Sequence, residues 1–321
     1  MRALVLREDK QVAVETLDTA SLPEGDVTVK VAYSTLNYKD ALALTASAPI
    51  AKSYPMVPGI DFVGEVTASE SADFAVGDMV VLNGWGVGEK HFGGLAEQAR
   101  VKSKWLIKLP TGLSAEQSMS IGTAGYTAML CCNALKDAGV TPDAGKIIVS
   151  GATGGVGSIA VAILAKRGYD VTALSGKPEQ ADYLKALGAN DIMDRAAYAE
   201  KGRPLGKQDW AGAVDVVGSH TLANIIANTQ YGGVVTACGL AQGMDLPASV
   251  APFILRNVSL LGVDSVYCPQ EKRQRAWDDL ASEIDPSVFA QLTHTIGLDE
   301  CIEAAGKIMA GSVTGRYLVK L

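Results

Sequence analysis

The sequence predicts an α/β protein in which a doubly wound parallel sheet, with helices on both faces, is joined to a mostly β, partly barrel-like domain. Three observations predict it. The β-favouring run Ile147-Ile148-Val149-Ser150 enters a glycine-rich turn, and a helix opens behind it. Past that turn, short apolar runs alternate with helical periods as far as residue 263, which is the spacing of successive βα units. Before it, residues 1–101 hold short apolar or alternating runs separated by turn signals, with no sustained helical period.

In chain order, residues 1–6, 27–33, 64–67, 79–82 and 96–101 read as strands, divided by turns such as Leu22-Pro23-Glu24-Gly25-Asp26 and Trp85-Gly86-Val87-Gly88. A helix with a serine cap starts at Ser114; Gly122-Thr123-Ala124-Gly125 interrupts it, and residues 126–137 resume it. A domain boundary falls here, at 120/121. Strands follow at 147–150, 170–174, 191–193, 213–217, 233–238 and 259–263, with helices at 158–167 and 179–187 between them. This strand count is that of a full dinucleotide (Rossmann) fold. Residues 270–283 and 298–310 are helical. The alternating strand at 314–321 is expected to return to the first domain. The expected organisation is therefore a β-rich domain, 1–120 and 256–321, around a dinucleotide-binding domain, 121–255.

Composition narrows the function classes. A chain of 321 residues accommodates two domains of about 150 residues each. No run reaches the roughly 18 apolar residues of a membrane helix, and the N-terminus is charged too early, at Arg2 and Arg7, for a signal peptide, so a soluble, cytoplasmic protein is expected. With 28 Lys and Arg against 35 Asp and Glu, the net charge of −7 argues against nucleic acid and membrane partners, and any anionic ligand must be met by a local pocket. Five scattered cysteines give no disulfide framework, and with three distant histidines they give no cysteine-rich zinc site.

Ala152, Gly154 and Gly157 have the spacing of the G-x-G-x-x-G fingerprint, with alanine first. Gly154 admits a pyrophosphate to the backbone, Gly157 lets the helix pack on the strand, and the helix N-terminus, from Gly155 and Val156, offers N–H groups to phosphate. An NAD enzyme presents an acid at the end of the second strand. Here the residues are Ser175-Gly176-Lys177, a hydroxyl and an ammonium suited to the 2′-phosphate of NADPH, with Arg195 a further candidate. Thr127 is a candidate for a nicotinamide or phosphate contact. In Ser34-Thr35-Leu36-Asn37-Tyr38-Lys39-Asp40, Tyr38 or Lys39 is a candidate proton donor that Asp40 would orient, although the same residues also read as a capped helix start. Asp61 reads as a structural acid, and His91, a lone loop histidine, is given no role.

Together these segments resemble the medium-chain dehydrogenase/reductase superfamily along the whole chain. Within it they are most similar to the zinc-free acryloyl-CoA reductases, also labelled quinone oxidoreductases of the YhdH/YhfP type. The resemblance is carried by Leu36-Asn37-Tyr38-Lys39-Asp40, Pro58-Gly59-Ile60-Asp61-Phe62, Gly84-Trp85-Gly86-Val87-Gly88-Glu89, Ile121-Gly122-Thr123-Ala124-Gly125, the glycine-rich turn, and Gly262-Val263-Asp264-Ser265. Zinc-bearing relatives have a metal-binding cysteine where this chain has Asn37 and a histidine near Ile60, so no metal is expected. The resemblance implies a GroES-like β domain, a homodimer, and NADPH-dependent reduction of acryloyl-CoA to propanoyl-CoA. It implies that Gly154, Gly155, Val156, Ser175, Gly176, Lys177, Arg195, Leu240, Ser265 and Arg316 line the cofactor, and it makes Tyr38, with Asn37 and Asp40 around it, the candidate catalytic group. A general quinone or enone reductase and a non-catalytic NADPH-binding sensor are the alternatives.

Overall fold

The computed structural model describes residues 1–284 and 293–321. They divide into two compact units. The first holds Met1–Thr123, Ser265–Gln274 and the described part of Asp285–Leu321; the second holds Ala124–Asp264 and Arg275–Ile284. No helix among the described residues is long and apolar enough to cross a membrane.

The chain opens with β1 (Arg2–Leu6) and β2 (Val12–Thr16), followed by β3 (Val27–Leu36), α1 (Tyr38–Leu44), β4 (Asp61–Ser69), β5 (Met79–Asn83), β6 (Gln98–Val101) and β7 (Leu106–Lys108). Helix α2 (Ala115–Asp137) begins with a reciprocal cap, in which Gln117 N–H donates to Ser114 Oγ (3.1 Å) and Ser114 N–H donates to Gln117 Oε1 (2.8 Å). Gln117 is the third residue after the cap, the position from which a side chain reaches back to the cap N–H. Gly122 leaves the helical region (φ 51°, ψ −161°), so the expected interruption is present as a kink that divides this span into two helical segments.

The second unit continues with β8 (Lys146–Ser150), α3 (Gly155–Lys166), β9 (Asp170–Ser175), α4 (Ala181–Ala186), β10 (Asp191–Asp194), α5 (Ala196–Ala199), β11 (Trp210–Asp215), α6 (Ser219–Ala227), β12 (Thr229–Ala237), α7 (Ala251–Arg256) and β13 (Ser259–Gly262). Helix α8 (Gln270–Glu283) follows, and then β14 (Thr293–Gly297), α9 (Cys301–Met309) and β15 (Arg316–Lys320).

The sheet of the second unit is parallel, with order β10-β9-β8-β11-β12-β13. Counted from β8, this is the doubly wound order whose direction reverses between its first and fourth strands, and the glycine-rich turn leaves β8 at that reversal. Continuous runs such as Ile147-Ile148-Val149-Ser150 are buried because helices cover both faces. β13 pairs in register with β12, Val234 opposite Ser259, so this sheet continues past residue 256. Residues 275–284 also belong with it: Arg167 Nε donates to Glu283 Oε2 (2.6 Å), and Tyr126 stacks on Trp277.

In the first unit, β14-β15-β3-β4-β5-β7 form one sheet, with β6 also on β3. The last strand pairs antiparallel with β3, Leu318 opposite Thr35, which is the expected C-terminal return. Val27, Val29 and Val31 point to one face, as alternation along a strand requires, and meet Phe62, Val66, Val80, Leu82 and Val101 in a buried core. The opposite end of β3, at Ser34 and Thr35, delivers buried polar groups instead.

Candidate functional site

In the second unit, the turn after β8 is held open by its glycines. Gly151 takes φ +56°. A Cβ on Gly157 would lie 2.3 Å from Gly151 O, so only glycine lets the first turn of α3 sit against the turn. Around Gly154 the only contact for an added Cβ is Gly151 O at 3.3 Å, which leaves this backbone approachable from outside. Gly154 is the N-cap of α3 and has no side chain to satisfy the first-turn N–H groups, which remain for an anion. This is the cradle that a pyrophosphate needs.

β9 then ends at Ser175. Ser175 Oγ accepts from Lys177 N–H (3.1 Å), and Ser175 O accepts from Arg195 N–H (3.0 Å). A Cβ on Gly176 would lie 2.4 Å from Arg195 Nε. Gly176 thus lets the Arg195 side chain lie across the strand end. Ser175-Gly176-Lys177 and Arg195, which is distant from them in sequence, meet at one strand end with two cations and no carboxylate among them. Thr127 is buried in α2, and Leu240 is exposed. These residues fit a nicotinamide dinucleotide with a 2′-phosphate.

In the first unit the candidate residues converge on Asp61, a carboxylate expected above to be structural. Asp61 is fully buried at the start of β4. Its Oδ1 accepts from Thr35 Oγ1 (2.6 Å), and its Oδ2 accepts from Asn37 Nδ2 (3.1 Å) and Thr123 N–H (2.7 Å). Arg316, expected along the cofactor, is buried in this network, where Nη2 donates to Thr35 Oγ1 (3.1 Å) and Asn37 Oδ1 (3.4 Å). The Gly122 kink makes room for it, since a Cβ there would lie 2.5 Å from Arg316 Nη2. Thr35, Asp61 and Thr123 stand inside stretches already singled out, residues 34–40, 58–62 and 121–125, but nothing in those stretches marks them as partners of one another. The signal for them is an acid following Pro58-Gly59-Ile60 at the head of an apolar strand, where an unpaired charge is too costly to bury.

Asn37 is the N-cap of α1, and Asp40 is its third helical residue. Asp40 Oδ2 accepts from Asn37 N–H (2.9 Å) and Oδ1 from the N–H groups of Gly59 (3.0 Å) and Ile60 (3.2 Å). The capped helix start is therefore real, and Asp40 orients neither Tyr38 nor Lys39; Lys39 instead pairs with Glu89 (2.9 Å). Burial and the Asp61 charge push Asp40 up to about 7, against the N–H donors of Asn37 and Gly59. Tyr38 differs from its neighbours: it is 46% exposed, and its hydroxyl has no hydrogen-bond partner among the described residues. Ser265 is joined to this unit through its carbonyl, which accepts from Arg273 Nη2 (3.3 Å). His91 is tied to Arg100 O (2.7 Å) and packs edge-on against Trp105, a structural placement. Among the described residues no three His, Cys, Asp or Glu side chains are grouped to hold a metal ion.

A doubly wound dinucleotide fold with a glycine cradle after its first strand, in one chain with a β unit built around a buried carboxylate, is the architecture of the two-domain dehydrogenases. Residues 155–282 match the zinc-binding dehydrogenase family, and 23–111 match the alcohol dehydrogenase GroES-like domain. The chain is 54% identical to the "Probable acrylyl-CoA reductase AcuI" of Escherichia coli (strain K12), covering 100% of both chains. It is 46% identical to the acrylyl-CoA reductase AcuI of Ruegeria pomeroyi, over 99% of this chain and 98% of that one. The YhdH oxidoreductase of Salmonella enterica, solved in complex with NADP, superposes with a TM-score of 0.99 at 52% identity, covering 100% of each chain. The chain belongs to the medium-chain dehydrogenase/reductase superfamily, in its acrylyl-CoA reductase group of the YhdH/YhfP type.

Proposed function

We propose that this protein reduces the carbon–carbon double bond of acryloyl-CoA to give propanoyl-CoA, with NADPH as the reductant. The observation that carries the reading is the full-length identity to two proteins named for this activity. The cationic surface of Ser175, Lys177 and Arg195, with no acid at the end of β9, supports NADPH over NADH.

The pyrophosphate is held by the backbone from Gly154 to Gly157, and the 2′-phosphate by Ser175, Gly176, Lys177 and Arg195. Thr127, Leu240 and Ser265 are proposed as further lining. When bound, NADPH supplies a hydride for the β-carbon of the acryloyl group. The chain must then steady the negative charge developing on the thioester oxygen and let a proton reach the α-carbon. Asn37 does not serve this directly, because its amide nitrogen, with two N–H bonds, is shared among three acceptors, Thr35 (2.9 Å), Asp61 (3.1 Å) and Asp40 (3.3 Å), and its carbonyl faces Arg316. Asn37 and Asp40 fix the start of α1, and Tyr38, the next residue, is left with a hydroxyl to donate. Tyr38 is the proposed proton-donating group, and Asn37, Asp40 and Arg316 are positioning residues.

The proposed assembly is a homodimer. β13 is the outermost strand of its sheet, and Val250, Ile254 and Leu255, at the cap and on the helix α7 that precedes it in the chain, are 68%, 74% and 61% exposed. A two-fold axis at that edge pairs the strand with its own copy and covers these side chains. The proposed location is the cytoplasm, consistent with five free cysteines. The reading is tested by incubating the protein with acryloyl-CoA and NADPH deuterated at the transferred position and analysing the product by mass spectrometry. Propanoyl-CoA carrying deuterium at the β-carbon is expected; unchanged acryloyl-CoA, with a quinone consumed in its place, overturns it.

A further inference from the structure

The second unit contains a preformed cavity that the reading above does not use. Helix α6 forms one wall, and the loop after α5 and the segment before α7 form the others, enclosing about 240 Å³. Lys201, Arg203, His220 and Ser249 supply its polar lining, and Pro204 and Pro247 stiffen its rim. No carboxylate lines it. In a chain with 35 acids against 28 Lys and Arg, cations are ordinarily matched. Neither Lys201 nor Arg203 is in an ion pair among the described residues.

The loop bearing these cations is pinned at both ends. Asn224 Nδ2, from α6, donates to Tyr198 O (3.0 Å) and Glu200 O (2.7 Å). Beyond the cations, Gly206 N–H donates to Ala227 O (2.8 Å), and Gly206 O accepts from Arg256 Nη2 (2.7 Å). Lys201 and Arg203 are thus presented from a fixed backbone, which lowers the ordering cost of binding. His220 stands in the first turn of α6, whose N-terminus adds positive potential.

We propose that this cavity is a phosphomonoester-binding site. An exposed Arg and Lys, an imidazole and a hydroxyl that already accepts from Ala251 N–H, gathered around one small concavity, match the charge and the hydrogen-bonding needs of a terminal phosphate. The volume is below the roughly 300 Å³ of whole-ligand pockets, so it accepts a head group whose remainder lies outside. Two sources share this chemistry: the 3′-phosphate of a CoA thioester, which rests on the function proposed above, and a free phosphorylated metabolite, which does not.

The test uses the full-length protein saturated with NADPH, so that the nucleotide cradle is occupied. Inorganic phosphate and adenosine 3′,5′-bisphosphate are titrated calorimetrically into it and into the Lys201→Ala/Arg203→Ala variant, with circular dichroism to confirm that the variant folds. The wild type is expected to bind adenosine 3′,5′-bisphosphate, and the variant at least about tenfold more weakly, as for the loss of a charge-assisted phosphate contact. Steady-state rates with acryloyl-CoA and its 3′-dephospho analogue separate the sources. A KM preference for the 3′-phosphorylated thioester that vanishes in the variant, at unchanged kcat, assigns the site to the substrate. An unchanged preference, with phosphate binding lost, assigns it to a free metabolite. No binding of either probe, or equal affinity in both proteins, overturns the proposal. The binding arm reads out even if acryloyl-CoA is not turned over.

Discussion

Arg316 donates through Nη2 to the hydroxyl of Thr35 at 3.1 Å, and that hydroxyl donates in turn to Asp61 at 2.6 Å. Thr35 also accepts from Asn37 Nδ2, so its one donor and two acceptor sites are all filled, and it links a buried cation to a buried carboxylate across paired strands. Thr35→Val keeps the shape and removes the link. The variant is expected to unfold about 1–3 kcal/mol more easily in urea, since buried Asp61 and Arg316 and half-buried Asn37 each lose a partner. A stability equal to wild type would show that the network does not hold this end of β3.

Gly157→Ala places a Cβ 2.3 Å from Gly151 O, and the obstructing atom is backbone. Overpacking of this kind costs about 1–3 kcal/mol. Thermal unfolding of the NADPH-free protein is expected to shift down, and the affinity for NADPH to fall with it. An unshifted transition with normal NADPH affinity would contradict the close packing of α3 on the turn.

Lys177→Ala and Arg195→Ala each remove a cation from the surface at the end of β9. Each is expected to raise the KM for NADPH about tenfold or more while leaving that for NADH within about twofold. Equal losses for both cofactors would show that these side chains do not read the 2′-phosphate.

Asp40, at about 7, holds its proton more tightly in the folded than in the unfolded chain, where a carboxyl titrates near pH 4. Its contribution to stability is therefore whole below about pH 4 and is lost as the pH rises through about 7. Urea unfolding is expected to show wild-type stability declining across that window relative to Asp40→Asn, which cannot titrate. Parallel curves for the two proteins would remove the raised value.

Tyr38→Phe is expected to lower kcat on acryloyl-CoA about 100-fold with NADPH affinity unchanged, the size of a general-acid contribution. An unchanged kcat would place the proton source elsewhere.

The elements that could be read from the sequence are those whose signal is local. The glycine spacing from Gly154 to Gly157, the acid-free end of β9, and the amphipathic run at Gln270–Glu283 each announce themselves within a few residues. β7 is three residues long and β14 reads Thr-His-Thr-Ile-Gly, so neither offers an apolar alternation to detect. The Asp61 network was hidden for a different reason. Thr35, Asp61, Thr123 and Arg316 come from four separate segments, and only the antiparallel pairing of β15, β3 and β4 brings three of them side by side. Likewise Asn37 and Asp40 were visible as polar residues, but that their bonding capacity is spent on each other and on Gly59, Ile60 and Asp61 follows only from the fold.

The most direct measurement is the rate of NADPH oxidation with acryloyl-CoA, crotonyl-CoA and a simple quinone offered in parallel to the same protein. The account predicts that kcat/KM is highest for acryloyl-CoA, with propanoyl-CoA formed in equal amount to the NADPH consumed. Turnover of the quinone with none on either thioester, or NADPH binding without turnover of any of the three, would contradict it.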